Sequence, residues 1–229
     1  MNSYQNKFPV IAIDGTACSG KGTLAKKISS IFGFDHLDSG ILYRIYAYEF
    51  LKKKKKVEEI EKIKIDIQIL KNKTFYNQKD LRSETVSKTA SLIAKNSFVR
   101  EQLVELQRNF ADNPPNKKGS VIDGRDITSV IVPNADVKFY VDANLHKRAK
   151  RRQNQLNLTD KYYSQVFDEM KLRDYNDKNR KISPLIKTKD SFYIDTTNIS
   201  ESKVIEIAIK EIKKKNWFYL VIALPTKIL

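Results

Sequence analysis

The run Gly15-Thr16-Ala17-Cys18-Ser19-Gly20-Lys21-Gly22-Thr23 carries the residue types that chemistry on a phosphate requires. Small residues let successive backbone N–H groups converge on phosphate oxygens, a lysine reaches the β/γ-phosphates, and a hydroxyl supplies an oxygen for Mg²⁺. All nine positions are therefore candidates for ATP, with Lys21 as the cation and Thr23, directly or through water, as the magnesium ligand. The usual pattern has Ser or Thr immediately after the lysine; here Gly22 intervenes. The competing reading is a Gly-rich turn with an incidental lysine. It is disfavoured by the neighbours, because Val10–Ile13 is an apolar run suited to a strand buried on both faces, and Leu24 to Ile28 opens a helix. A strand, a glycine-rich loop and a helix N-terminus in that order bind anions.

Four further groups could do chemistry. Asp38-Ser39-Gly40 starts a helix on which Ser39 and Tyr43, and Gly40 and Arg44, lie four apart and so share a face. Val121-Ile122-Asp123-Gly124-Arg125-Asp126 is an apolar strand ending in acid, glycine, arginine and acid, at the carboxyl edge where open parallel sheets bind ligands. Arg148, Arg151 and Arg152 form one stripe at i, i+3 and i+4, accompanied by Lys147 and Lys150 and by no acidic residue of that segment. Unpaired cations in a row suit phosphate. Arg173, Asp177 and Arg180 fall at i, i+4 and i+7, a face that fits either a ribose and a phosphate or a structural ion-pair ladder. His36 reads as a strand residue with a satisfied ring.

The elements that must position these groups alternate between strand and helix. Strands are expected at 10–13, 34–37, 121–122, 137–141 and 191–194. Gly33 closes the first helix. Thr85–Arg108 reads as helical until Asn113-Pro114-Pro115-Asn116 breaks it. Further helices are expected from Asn144, over Tyr162–Arg180, and along Val204, Ile205, Ala208, Ile209 and Ile212 behind an Asn198/Glu201 capping box. Residues from about 45 to 95 change character: a lysine run, Lys52–Lys56, precedes the Ile-, Lys- and Glu-rich Val57–Ile69, then a weak strand or hairpin signal over Leu70–Tyr76. This reads as an inserted subdomain that moves relative to the core. The apolar tail Trp217–Leu229 is far shorter than a bilayer span and reads as packing on the core or an irregular end.

At 229 residues the chain is one α/β unit with an ample core. Its single cysteine, Cys18, excludes an internal disulfide and fits a reducing cytoplasm. Met1–Lys7 is polar and lacks the apolar segment of a signal peptide. The net charge of +16 suits polyanionic ligands, nucleotides or nucleic acid.

Laid out in order, IDGTACSGKGT (13–23), LDSGILYR (37–44), VIDGRDITSVIVPNADVKFYVDA (121–143) and RDYNDKNRKISPL (173–185) resemble the bacterial cytidylate kinases, which are P-loop nucleoside monophosphate kinases. The similarity runs from about residue 9 to 213. It implies a single P-loop kinase domain with a five-stranded parallel sheet flanked by helices. Within it the core would be about 1–44, 96–150 and 180–215, the monophosphate-binding insert about 45–95, the lid about 151–179 and the tail 216–229. Carried over residue by residue, the resemblance implies that Ser39, Arg100 and Asp126 contact cytosine, with Ser91 nearby. Arg44, Arg125 and Arg180 would hold the acceptor's phosphate, and Tyr43, Arg173 and Asp177 its ribose. Arg148, Arg151 and Arg152 would be lid arginines closing over the donor, Arg148 and Arg152 with Lys21 in catalysis and Arg151 on ATP. Asp123 is a candidate for positioning Mg²⁺ or its waters.

The chain departs from the family pattern in places. Thr16 replaces a proline and Cys18 a glycine of the phosphate loop, Asn176 stands where arginine is common, and Leu81-Arg82-Ser83 replaces Ile-Arg-Thr in a shortened insert. The expected reaction transfers phosphate from ATP to CMP or dCMP, with Mg²⁺ as cofactor and small nucleotides as partners. A cytoplasmic monomer with no membrane span and no nucleic-acid partner is expected. Two rivals stay open: a kinase for UMP or AMP, and a nucleic-acid-binding P-loop ATPase motivated by the charge.

Overall fold

The computed structural model describes residues 8–54, 59–60 and 76–215. All of the hairpin signal at Leu70–Tyr76 but Tyr76, nearly all of Val57–Ile69 and the Trp217–Leu229 tail lie outside these residues. The chain divides into two compact units, one joining the segment up to Leu37 to that from Arg108 onward, the other running Asp38–Gln107.

In the first unit, β1 (Val10–Gly15), β2 (Asp35–Asp38), β3 (Ser120–Gly124), β4 (Val137–Asp142) and β5 (Phe192–Asp195) form one five-stranded sheet in the order β2-β3-β1-β4-β5. β1 and β3 are buried along their whole length, which suits the apolar runs Val10–Ile13 and Val121–Ile122 within them. Parallel pairing sets Ile13 beside Asp123 and Asp14 beside Gly124, then Gly15 beside Val141, then Asp142 beside Asp195. The register thus gathers the polar strand ends along one edge. Helix α1 (Lys21–Phe32) and the final helix α8 (Glu201–Ile212) cover the sheet through Leu24, Ala25, Ile28, Val204, Ala208 and Ile212 against Ile11, Ile13, Phe139, Val141 and Ile194. Truncating Leu24 to Ala in such a core costs about 2–5 kcal/mol. Helices α6 (Leu145–Gln155) and α7 (Tyr163–Asn179) pack on each other beyond β4.

The second unit contains α2 (Ser39–Lys52), the one-turn α3 (Gln78–Leu81), α4 (Glu84–Ile93) and most of α5 (Ser97–Asp112). It includes Ser39–Arg44 and residues 96–107, on either side of the 45–95 stretch.

Two local expectations are corrected. The single helix over Thr85–Arg108 is two helices, because the Asn96 side chain accepts from Val99 N–H at 3.2 Å and its carbonyl accepts from Arg100 N–H, starting a new helix. The cap of α8 is Ser200, whose hydroxyl accepts from Lys203 N–H at 3.2 Å, rather than Asn198. Among the described residues no helix is long and apolar enough to cross a membrane.

Candidate nucleotide site

The phosphate loop leaves β1 at Gly15, where any Cβ would lie 1.9 Å from the Val141 carbonyl oxygen. Only glycine fits beside β4 there. Gly20, at φ +94°, turns the chain into α1, and Cys18 also lies in the left-handed region at φ +57°. Three successive loop carbonyls are bound by side chains from outside. Arg148 Nη1 donates to Ala17 O at 3.2 Å, Arg151 Nη1 to Cys18 O at 3.4 Å and Thr196 Oγ1 to Ser19 O at 2.7 Å. Thr16 Oγ1 donates to Asp142 Oδ1 at 2.5 Å, and Lys21 Nζ reaches Thr16 O at 3.3 Å.

One strand away, Asp123 takes His36 Nε2 at 2.7 Å, so the histidine ring is indeed satisfied. The other Asp123 oxygen lies 3.7 Å from where a Cβ on Gly22 would stand. Thr23 is exposed, and its hydroxyl makes no hydrogen bond among the described residues. A hydroxyl and a carboxylate beside one phosphate loop are hard oxygen donors of the kind Mg²⁺ takes together with phosphate oxygens. The residues present fit that ion.

The arginines around the Asp123–Asp126 turn are paired. Arg125 Nε donates to Asp177 Oδ2 at 2.9 Å, Arg173 Nε approaches the same oxygen at 4.0 Å, and Arg180 Nη2 lies 3.6 Å from Asp126 Oδ1. Burial works against the Arg125 charge, but the Asp177 carboxylate outweighs it and holds the guanidinium above its ordinary value. Asp177 shows the converse: burial raises it, yet the Arg125 and Arg173 charges carry it below the usual carboxylate value. Arg173 is lowered, by burial first and then by Arg125. On the i, i+4, i+7 face Arg173 thus approaches Asp177, which Arg125 also holds, while Arg180 turns to Asp126.

Behind this turn, Asp14 accepts from Ile127 N–H at 2.9 Å and from Thr128 N–H and Oγ1 at 2.7 Å each. These bonds hold the π-helical turn Ile127–Ile131 that follows Asp126, and Arg108 caps the Val130 and Ile131 carbonyls. Complete burial pushes the Asp14 carboxyl up to about 6 against those hydrogen bonds.

The arginine stripe is corrected. Arg148 is buried, with Nη2 on Asp174 Oδ2 at 2.6 Å and Nε on Ala143 O at 2.7 Å. Arg151 is engaged by Thr196 and Cys18, and Lys150 pairs with Asp160 at 2.6 Å. Only Arg152 of the three makes no side-chain hydrogen bond or ion pair among the described residues. Their partners come from α7, from the loop and from the end of β5, so a reading confined to the helix saw a row without them. Nothing in the sequence pattern alone assigns Asp142, Asp174 or Thr196 to the loop, and Asp14 reads there only as a strand end. A polar residue at the carboxyl end of a parallel strand was the available signal for Asp142 and Thr196.

In the second unit, Ser39 and Arg100 are buried, Tyr43 is nearly so, and Arg44 and Ser91 are half-buried. Arg100 Nη1 donates to Ala94 O at 3.2 Å, and its guanidinium carbon lies 5.8 Å from the Tyr43 ring centroid.

A family model described as cytidylate kinase matches residues 11–214. The chain is 37% identical over 215 residues to the cytidylate kinase of Caldanaerobacter subterraneus subsp. tengcongensis, covering 89% of this chain and 94% of that one. It is 40% identical over 201 residues to the cytidylate kinase of Bartonella tribocorum, covering 87% and 92%. A crystal structure of an uncharacterized protein from Eubacterium ventriosum shares the fold, with TM-score 0.54, 15% identity and coverage of 90% and 99%. With a family match from β1 to the end of α8 and relatives of this identity along nearly their whole length, the chain belongs to the cytidylate kinase family.

Proposed function

We propose that the chain transfers the γ-phosphate of ATP to CMP or dCMP, giving ADP and CDP or dCDP. The observation that carries this reading is the shared carboxyl edge of β1 and β3, where the Gly15–Thr23 loop and the Asp123–Asp126 turn stand on adjacent strands. Phosphoryl transfer asks the protein mainly for alignment and charge neutralisation. On the donor, the loop amides, Lys21 and Arg152 supply positive charge. Thr23 and Asp123 would hold Mg²⁺ or its waters, and the ion would neutralise phosphate charge when bound.

On the acceptor, Arg125 and Arg180 take the phosphate, and Arg173 and Asp177 the ribose. Asp126 accepts from the exocyclic amine of cytosine, a pairing that uracil, with a carbonyl there, cannot offer. In the second unit, Arg44 takes phosphate, Tyr43 ribose, and Ser39 and Arg100 the base, with Ser91 supporting. The paired arginines suit an exchange: an incoming dianion replaces the carboxylate each now holds. The proposed setting is a monomer in a reducing cytoplasm, which the single cysteine fits.

A coupled assay of ADP release with ATP·Mg²⁺ and one acceptor at a time tests the reading. Turnover confined to CMP and dCMP is the expected result. Turnover with UMP or AMP in preference to CMP, or none with any acceptor, would overturn it.

A further inference from the structure

The side-chain bonds to the loop carbonyls have a consequence for the faces those peptides turn toward the donor. A trans peptide points its C=O and N–H in opposite directions. With the Ala17, Cys18 and Ser19 carbonyls drawn outward, the N–H groups of Cys18, Ser19 and Gly20 are turned to the other side. A phosphate-binding nest needs those successive amides to converge. A single carbonyl flipped inward would set partial negative charge against the phosphates.

Thr196 occupies the middle of this arrangement. It is 4% exposed and follows directly on β5. Its hydroxyl donates to Ser19 O at 2.7 Å and accepts from Arg151 Nη1 at 3.0 Å. Its carbonyl accepts from Arg151 Nη2 at 2.7 Å, and its N–H donates to Asp142 O at 2.8 Å. Asp142 in turn accepts from Thr16 at the start of the loop. One residue thus ties the end of β5 to the loop from both sides, with Arg151 fixed between Thr196 and Cys18.

The loop needs such restraint more than its composition suggests. Cys18 sits at φ +57°, a conformation unfavourable for an L side chain that persists only where the surroundings enforce it. Its own carbonyl is one of the three bound from outside.

We propose that Thr196 is a positioning residue for the phosphate loop, acting through Ser19 and Arg151 to keep the loop amides turned toward the donor's phosphates. The assignment rests on the loop's reading as the ATP site. It gives Arg151 a second task, as a brace on the loop backbone.

Calorimetric titration of ATP into the wild type, Thr196→Val and Thr196→Ser, beside the CMP Michaelis constant and a thermal melt of each, tests it. Thr196→Val keeps the shape and removes the hydroxyl, leaving the buried Ser19 carbonyl without its donor. ATP affinity is expected to fall roughly tenfold with the CMP constant little changed, and Thr196→Ser to restore it. A purely structural role would lower the melting temperature and leave ATP affinity of the folded protein intact. If Thr196→Val does not fold, Thr196→Ala removes the same hydroxyl without adding a methyl group and is expected to give the same loss. ATP affinity equal to wild type in the folded variant would overturn the role of Thr196 alone. A wild-type chain that does not bind ATP would overturn the reading of the loop, and this role with it.

Discussion

Arginines on the two sides of this sheet edge are restrained in different ways. Beside the phosphate loop, Arg148 and Arg151 bind backbone carbonyls, at Ala143, Ala17, Cys18 and Thr196. Around the Asp123–Asp126 turn, Arg125, Arg173 and Arg180 face carboxylates, at Asp177 and Asp126, although Arg125 Nη1 also donates to Gly124 O at 3.3 Å and Arg180 Nε to Ser183 O. A carbonyl bond inside a turn is part of the backbone's shape, and breaking it leaves a buried acceptor unsatisfied. A carboxylate is a monovalent anion that a phosphate dianion can outcompete on the same guanidinium. The first set keeps a cradle in form; the second keeps cations waiting. Arg148 also touches Asp174, so the contrast can be tested from both ends.

The largest effect is expected from Asp174→Ala, which leaves the buried Arg148 guanidinium without its closer anion, with only Asp142 Oδ1 at 3.8 Å remaining. Breaking such a pair costs about 3–5 kcal/mol of stability, read by urea unfolding. ATP affinity is expected to fall as Ala17 O loses its fixed donor, with the CMP constant little affected. Next comes Arg125→Ala, expected to raise the Michaelis constant for CMP roughly ten- to a hundredfold through loss of a charge-assisted bond, with ATP affinity unchanged. Variants that weaken both substrates alike would erase the contrast.

The smallest effects lie in the acid limb of stability. Asp177 is depressed below its ordinary 3.8, so its contribution is present above that pH and is lost as pH falls through the folded value. Asp14 runs the other way. Raised to about 6, it contributes fully below 3.8 and loses that contribution as pH rises through about 6. Asp177→Asn is expected to remove stability at neutral pH and make the acid fall shallower, whereas Asp14→Asn flattens the change between pH 3.8 and 6. Urea midpoints taken from below pH 3.8 to above pH 6 measure both slopes. Identical slopes in the two variants would contradict these opposite signs.

What could be read from the chain followed the range of each interaction. β2 and β5 were placed within one residue, because apolar runs and their punctuation are local. The phosphate loop was legible for the same reason. Asp174 lies 26 residues from Arg148, and the Ser19 carbonyl 177 from Thr196, so no helical spacing could join them. Neither side-chain type is unusual where it stands. The break at Asn96 was missed because the apolar positions continue across it, and only the capping bond marks the restart. Asp126 is marked by its place at a strand end, while Asp14, which fixes the turn after Asp126, reads in sequence only as the end of the first strand.

That carboxylate also sets a spacing. Asp14 is the residue before Gly15, and its oxygens hold the amides of Ile127 and Thr128, directly after Asp126. The backbone that starts the phosphate loop and the backbone that carries Asp126, the proposed reader of the base, are thereby pinned to one side chain. Thermal drift of either turn is passed to the other, so their separation varies less than the position of each. For a transfer in which a misplacement of about 1 Å can cost roughly a hundredfold in rate, a shared datum of this kind keeps the two reactants in gauge.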